Sequence, residues 1–312
     1  MNAGVLKVPV ATVTSVDGNT SSVCGYVLGE GTKAVYIQGG MHGGEVTYWI
    51  FQRLYEELNK KNLKKQVILV PLCNPYSWQQ RSYFYTTGKF SFIDGKDWLW
   101  SFPGSAEGSP MQRLAKQLYS SASSFELSVD LHTSRKSVPF GIFSSEKYHP
   151  EMAALGIPFN FMSSYGDSLD QYKQGIASLS YAMTQDGRRG FTLECGSHDE
   201  YNEANIELIC TSLLNLLRHE GVIDEPVQKS ADSIIFADNE FLKYQSTATG
   251  FVQYLKQPGD TYRQNDVLFS IADAADITKT VNVQAIEDGI VLKISPTHIA
   301  QAGDVLVETI KI

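Results

Sequence analysis

Cysteine is scarce in this chain, with four in 312 residues. Cys24, Cys73, Cys195 and Cys210 are widely spaced and include no C-x-x-C pair. Three of them stand in apolar surroundings, which suits free buried thiols in a reducing compartment better than a disulfide framework. Long apolar runs are missing too, so no segment reads as a transmembrane helix. Residues 1–10 carry no long apolar core behind a basic cluster, so no signal peptide is expected and the cytoplasm is the default location. Basic residues are outnumbered, 26 against 34 acidic, for a formal net charge of −8. That balance argues against nucleic acid or an anionic membrane as the main partner. With 43% hydrophobic and 19% charged residues the chain is globular rather than disordered, and its length allows one large domain or two smaller ones.

The most informative stretch is Gly39-Gly40-Met41-His42-Gly43-Gly44-Glu45. It follows the apolar run Ala34-Val35-Tyr36-Ile37, which reads as a buried strand. It precedes residues 46–58, where Ile50, Leu54 and Leu58 recur at helical spacing. A histidine and a glutamate three residues apart thus sit where a strand gives way to a helix. In open α/β sheets the crevice outside the carboxyl ends of the strands is where ligands bind. Imidazole and carboxylate are good zinc ligands, and a catalytic zinc usually takes three protein ligands and keeps one position open. The best third candidate is His132 in Asp130-Leu131-His132, which ends another apolar run, Leu127-Ser128-Val129.

Residues 1–30 read as two antiparallel strands turning at Asp17-Gly18-Asn19. Gln66 to Cys73 is a second continuous apolar strand, so strand, helix and strand suggest a parallel βαβ unit. It ends in Asn74-Pro75, with Arg81 six residues after the proline; an arginine near a metal can stabilise charge developing on a carbonyl oxygen. Residues 82–109 have no clean period and hold many aromatics, among them Tyr83, Phe84, Tyr85, Trp98 and Trp100; such long irregular segments are usually functional or mobile. A helix starts at Ser109-Pro110 and runs to about residue 121. A short strand is expected at 138–143, a short helix at 151–155, a short apolar run at 158–162, and an amphipathic helix over 202–219. Gly190 to Gly196 is a strand with a carboxylate, Glu194, at its end. Glu194 is the candidate general base, since a carboxylate beside a metal can take the proton of a water.

Taken together, Gly40-Met41-His42-Gly43-Gly44-Glu45, Asn74-Pro75 with Arg81, Asp130-Leu131-His132 and the late Glu194-Cys195-Gly196 resemble the succinylglutamate desuccinylase/aspartoacylase family. The resemblance covers about residues 30–220 and respects motif order. It implies a zinc carboxypeptidase-like fold: α/β, with a mixed, mostly parallel central sheet and helices on both faces. It also implies a zinc hydrolase that removes an acyl group from a small N-acylated amino acid or related amine. His42, Glu45 and His132 would hold one Zn2+ per chain, Glu194 would activate water, and Arg81 would polarise the scissile carbonyl.

One departure matters. The family usually carries Asp-Leu-Asn-Arg before Phe-Pro-Gly, and its Asn-Arg pair grips a substrate carboxylate. The matching run here is Asp97-Trp98-Leu99-Trp100-Ser101-Phe102-Pro103-Gly104, with Leu99 and Trp100 in those two places. Neither can make the bidentate fork of an arginine. The sequence therefore points to a more apolar or aromatic pocket formed with Trp98 and Trp100, or to a carboxylate held by another residue such as Arg135, Arg188 or Arg189.

Composition changes after residue 225, where helical periodicity gives way to short strands and turns. The division expected is a hydrolase domain over 1–225 and a β-rich domain over 226–312. The Gly-Asp turns at Gly259-Asp260 and Gly303-Asp304 form a weak internal repeat. The pattern resembles the barrel-sandwich hybrid of lipoyl and biotinyl carriers, without a lysine at the tip of a tight turn. A pocket-shaping role suits it better than a carrier role. The alternatives to the deacylase are a zinc carboxypeptidase acting on short peptides and a non-catalytic binding protein. The sequence expects a small-molecule partner, and no surface pattern in it fixes the oligomeric state, leaving room for a homo-oligomer.

Overall fold

The computed structural model describes residues 6–14, 18–81, 87–92, 94–163, 166–228 and 233–312. Asp17 of the expected first turn and the aromatics Tyr83, Phe84 and Tyr85 lie outside them. The centre is a nine-stranded mixed sheet. Its spatial order is Leu6–Thr14, Thr20–Leu28, Gln66–Val70, Lys33–Gly39, Leu127–Ser134, Arg189–Ser197, Phe140–Phe143, Phe159–Met162 and Ile234–Ala237. Four adjacent strands in the middle, Gln66–Val70 to Arg189–Ser197, run parallel. They are buried along almost their whole length, which is why they read as continuous apolar runs rather than alternating ones.

Helices cover both faces. Tyr48–Leu58 and Glu203–His219 pack on one face through Ile50, Leu54, Leu58, Ile209, Leu213 and Leu216. Pro110–Ala122 and Leu179–Gln185 close the other through Leu114, Leu118, Leu179 and Met183. The helix Pro110–Ala122 starts with a reciprocal cap: the Ser109 hydroxyl accepts from the Gln112 N–H, and the Gln112 side chain accepts from the Ser109 N–H. The first helix begins at Tyr48 rather than at 46, because residues 40–47 are spent on turns. Among the described residues no helix is long and apolar enough to cross a membrane.

Two antiparallel sheets follow. One contains Phe241–Gln245, Val305–Lys311, Gly289–Ile294 and Thr261–Tyr262; the other contains Thr280–Gln284, Val267–Asp273, Gly250–Tyr254 and Ile299–Ala300. They enclose their own core around Tyr244, Leu268, Phe269, Ile271, Val291 and Leu306. The change of architecture comes later than the composition suggests. The strand Ile234–Ala237, expected in the second unit, pairs in parallel with Phe159–Met162 and finishes the edge of the large sheet. In the other direction, Lys136–Ser137 leaves the large body and pairs with Gly289–Ile294. A third cluster joins the two bodies, with Phe161, Phe236 and Phe241 stacked at centroid distances of 5.0 to 6.4 Å.

Candidate active site

Three neighbouring parallel strands deliver their chemistry to the same edge of the sheet. Gly39 is in register with Leu131, and His132 with Glu194. The segment after Gly39 turns back at once. Gly40 has φ +72°, a left-handed conformation that favours glycine. At Gly43 a Cβ would stand 2.5 Å from the carbonyl oxygen of Ser77, so only glycine lets the chains approach this closely. The turn is closed by Glu45, whose Oε2 accepts the His42 N–H at 3.1 Å.

The structure brings His42, Glu45 and His132 together. Nδ1 of His42 lies 2.7 Å and Nδ1 of His132 2.9 Å from the same oxygen, Glu45 Oε1. All three side chains are buried, and their ligating atoms lie within 4.8 Å of one another. The other ring nitrogens face carboxylates: His42 Nε2 is 2.8 Å from Asp97 Oδ1, and His132 Nε2 is 3.1 Å from Asp130 Oδ2. Gln38 donates to the other oxygen of Asp130 at 3.0 Å. Such carboxylates orient imidazoles that hold a metal.

The electrostatics of the cluster call for a cation. Burial alone would raise the Glu45 carboxyl, yet His132 and His42 outweigh it and hold it well below the usual range. Burial alone would lower both imidazoles, yet Glu45 and Asp97 hold His42 above its ordinary value, and Asp130 and Glu45 hold His132 well above. Asp97 is pulled down to about 2, where His42 and Lys89 outweigh its burial. Glu194 is pushed up by burial, partly opposed by His132 and Lys293. Its Oε2 is buried and has no hydrogen-bond partner among the described residues. The four carboxylates of Glu45, Asp97, Asp130 and Glu194 outnumber the two imidazoles and Lys89, and His42, Glu45 and His132 could hold a metal ion there.

The cluster opens into a cavity of about 510 Å3. Its wall includes His42, His132 and Glu194 at one pole, with Leu99 next to them through Asp97; Asp167 and Ser178 stand beyond Ser180 and Thr192, and Arg135 and Lys293 line it too. The remaining sequence expectations fare differently. Arg135 lines the cavity; it is exposed, and its Nη1 donates to the carbonyl of Val305 at 2.8 Å. Arg81 is exposed and lines no part of the cavity. Next to it, the Thr87 N–H donates to the Gln80 carbonyl at 2.8 Å. Trp98 is buried against Tyr76, rings stacked at 5.8 Å, beside a separate small cavity. Trp100 is half-buried and is also absent from the lining. Leu99 faces the cavity instead, because the turn is pinned by Asp97, whose Oδ1 accepts the Leu99 N–H at 3.0 Å, and by the Ser101 hydroxyl, which donates to the Trp98 carbonyl at 2.7 Å. Arg189 is spent elsewhere, on Glu151 and Glu220.

Four residues at the site were not singled out by sequence reasoning. Asp97 lies in the run before Phe-Pro-Gly, beside the Leu99 and Trp100 that stand in place of Asn-Arg. His198, four residues after Glu194, lines the cavity and bonds the Thr133 hydroxyl at 3.0 Å; burial pushes its imidazole down. Asp167 carries no motif. Lys293 comes from a strand far along the chain and pairs with Glu308 at 2.6 Å.

Comparison with known proteins follows this geometry. The model of the succinylglutamate desuccinylase/aspartoacylase catalytic domain matches residues 31–220. Comparison with curated protein sequences gives no match. Among solved structures, a putative succinylglutamate desuccinylase/aspartoacylase family protein from Shewanella amazonensis SB2B has a TM-score of 0.83 at 21% identity, covering 99% of this chain and 98% of its own. A succinylglutamate desuccinylase/aspartoacylase from Rhodobacter sphaeroides gives 0.78 at 20%, covering 99% and 94%. The product-bound ectoine utilization protein EutE (DoeB) from Ruegeria pomeroyi gives 0.78 at 19%, covering 99% and 94%. At these identities the structures show a shared fold, and the match of the catalytic-domain model over most of the chain settles the affiliation: this chain belongs to the succinylglutamate desuccinylase/aspartoacylase family of deacylases.

Proposed function

We propose that the chain is a zinc-dependent amidohydrolase that removes an acyl group from a small N-acylated amino acid or related amine. The observation that carries this reading is the buried, unpartnered Oε2 of Glu194 beside the His42–Glu45–His132 cluster, facing a cavity large enough for a small molecule. Two imidazole nitrogens and one carboxylate are the donor set of a catalytic zinc, which supplies a Lewis acid and lowers the pKa of a water when bound. Asp97 and Asp130 fix the ring orientations of the two histidines. Glu194 accepts the proton of the attacking water and returns it to the leaving nitrogen; its burial raises its proton affinity toward the range such a shuttle needs. Arg135, at the cavity wall, is the cation placed to meet a substrate carboxylate, a part the sequence had also offered to Arg188 and Arg189. Arg81 has no part in this proposal, because its exposed side chain does not line the cavity.

The carboxypeptidase reading is weaker. The C-terminal sheets contribute Lys293, Pro296 and Glu308 to the cavity wall and narrow access for a peptide chain. The test is zinc stoichiometry together with turnover of an N-acyl amino acid panel and of short peptides. About one zinc per chain, hydrolysis of N-acyl compounds, and a loss of roughly 10²–10⁴-fold in kcat for Glu194→Gln with zinc retained are expected. A Glu194→Gln variant as active as the parent would refute the assignment.

A further inference from the structure

We propose that Asp167 is the recognition group of an ammonium subsite, so that the compound turned over carries a protonated amine several bonds from its scissile amide. The proposal deepens the hydrolase reading of this cavity and rests on it.

Asp167 is 8% exposed and lines the cavity. Among the described residues Ser178 holds it: the Ser178 N–H donates to Oδ1 at 2.8 Å and its hydroxyl to Oδ2 at 2.7 Å. A carboxylate oxygen accepts more than one hydrogen bond, so both remain open to a donor from the cavity. The other charged side chains on the wall are accounted for. Lys89 pairs with Asp97 and Lys293 with Glu308, Glu194 faces the metal ligands, and Arg135 is exposed. Among the described residues Asp167 has no cationic partner, and burial pushes its carboxyl up to about 6 despite the two hydrogen bonds from Ser178. A buried acid without a cation is costly, and asparagine would offer the Ser178 N–H the same acceptor without that cost. A charge kept under these conditions is explained by a cation that arrives from the cavity.

The surroundings set the chemistry and the length. An ammonium has three donors, and the hydroxyls beside Asp167 supply acceptors for those the carboxylate leaves free. The Ser178 hydroxyl is 3.3 Å from that of Ser180, which is 3.0 Å from that of Thr192. Thr192 stands two residues before Glu194 on the same face of its strand, about 7 Å along it. The row of hydroxyls leads from Asp167 to the strand that carries Glu194, and the aliphatic chain of the substrate would run along it. Leu99 gives that chain an apolar wall.

The test uses the zinc-loaded full chain and three probes with one acyl group and matched length: N-(4-aminobutyl)acetamide, N-butylacetamide and 4-acetamidobutanoate. The ammonium probe is expected to exceed the neutral one in kcat/KM by about 10- to 100-fold, the usual range for a charge-assisted contact. Asp167→Asn should bring that ratio close to one, and Asp167→Glu should keep part of it. Calorimetric titration with 1,4-diaminobutane, which needs no turnover, should show binding to the parent and its loss in Asp167→Asn. Equal turnover of the ammonium and neutral probes, or a ratio unchanged in Asp167→Asn, overturns the subsite while leaving the hydrolase intact. No turnover of any probe with Asp167-dependent diamine binding supports the subsite and leaves the hydrolase reading to the N-acyl amino acid panel and Glu194→Gln. The comparison of probes on the parent protein stands even if Asp167→Asn does not fold.

Discussion

The two poles of the cavity are built in different ways. At the metal pole His42, Glu45, His132 and Glu194 come from, or just after, three adjacent parallel strands, and the register of the sheet sets the spacing: His132 lies beside Glu194, and Gly39 beside Leu131; Asp97 joins them from an irregular turn. Around Asp167 the groups come from the segment before a short helix (Asp167 itself), the entry of another short helix (Ser178) and that helix's first turn (Ser180). The placement of the first pole rests on the backbone ladders of adjacent strands. The second depends on side-chain packing, which substitutions can retune. Chemistry and specificity are thus carried by regions of unequal plasticity, a division that suits one reaction applied to many substrates.

The sharpest way to break this comparison is to disturb the metal pole without touching a ligand. Asp97→Asn keeps the shape of the side chain but removes the charge facing His42 Nε2 at 2.8 Å. Zinc affinity should fall about 10- to 100-fold, as measured by competition with a chelator, with little change in the fold. The distal pole should respond in the opposite sense in stability. The Asp167 carboxyl titrates near 6 in the folded chain against an ordinary 3.8. Between these values the folded state holds more protons than the unfolded state, so stability falls as pH rises through the window. Asp167→Asn escapes that loss. At pH 7.5 it should be more stable than the parent by roughly 1–3 kcal/mol, and at pH 4 the gain should shrink, as read from denaturant midpoints. The smallest effect is expected where the two poles communicate. Lys293 helps hold the Glu194 carboxyl down. Lys293→Met combined with Glu308→Gln, which leaves no lone charge behind, should move the acid limb of the kcat/KM profile to higher pH.

The same contrast explains what was legible in the sequence. The parallel strands, buried on both faces, announce themselves as apolar runs, and chemistry at a strand end stands out against them; His42, Glu45, His132 and Glu194 were all visible for that reason. The helix cap at Ser109 was legible because its hydrogen bonds span three residues. Asp97 was passed over because its role exists only once His42 is brought near it. Trp98 and Trp100 were expected in the pocket from their chemistry, but the direction of a side chain in an irregular turn depends on which backbone groups the turn must satisfy, here Leu99 N–H and Trp98 carbonyl. Asp167 and Lys293 had no local signal at all, since nothing in their neighbours along the chain marks the wall they come to line. The boundary near residue 225 followed a real change in composition, yet the strand Ile234–Ala237 is held by a pairing that composition does not encode.

That pairing has a mate in the short strand Lys136–Ser137, which crosses the opposite way to join Gly289–Ile294. The polypeptide is laced between its two bodies, each lending the other a strand. A cut after residue 225 would therefore strip an edge from the large sheet and leave Lys136–Ser137 without its ladder, so neither fragment would be whole. Swapping the rim as a cassette is closed to such an architecture, and changes in what the cavity admits must come through point substitution, one side chain at a time.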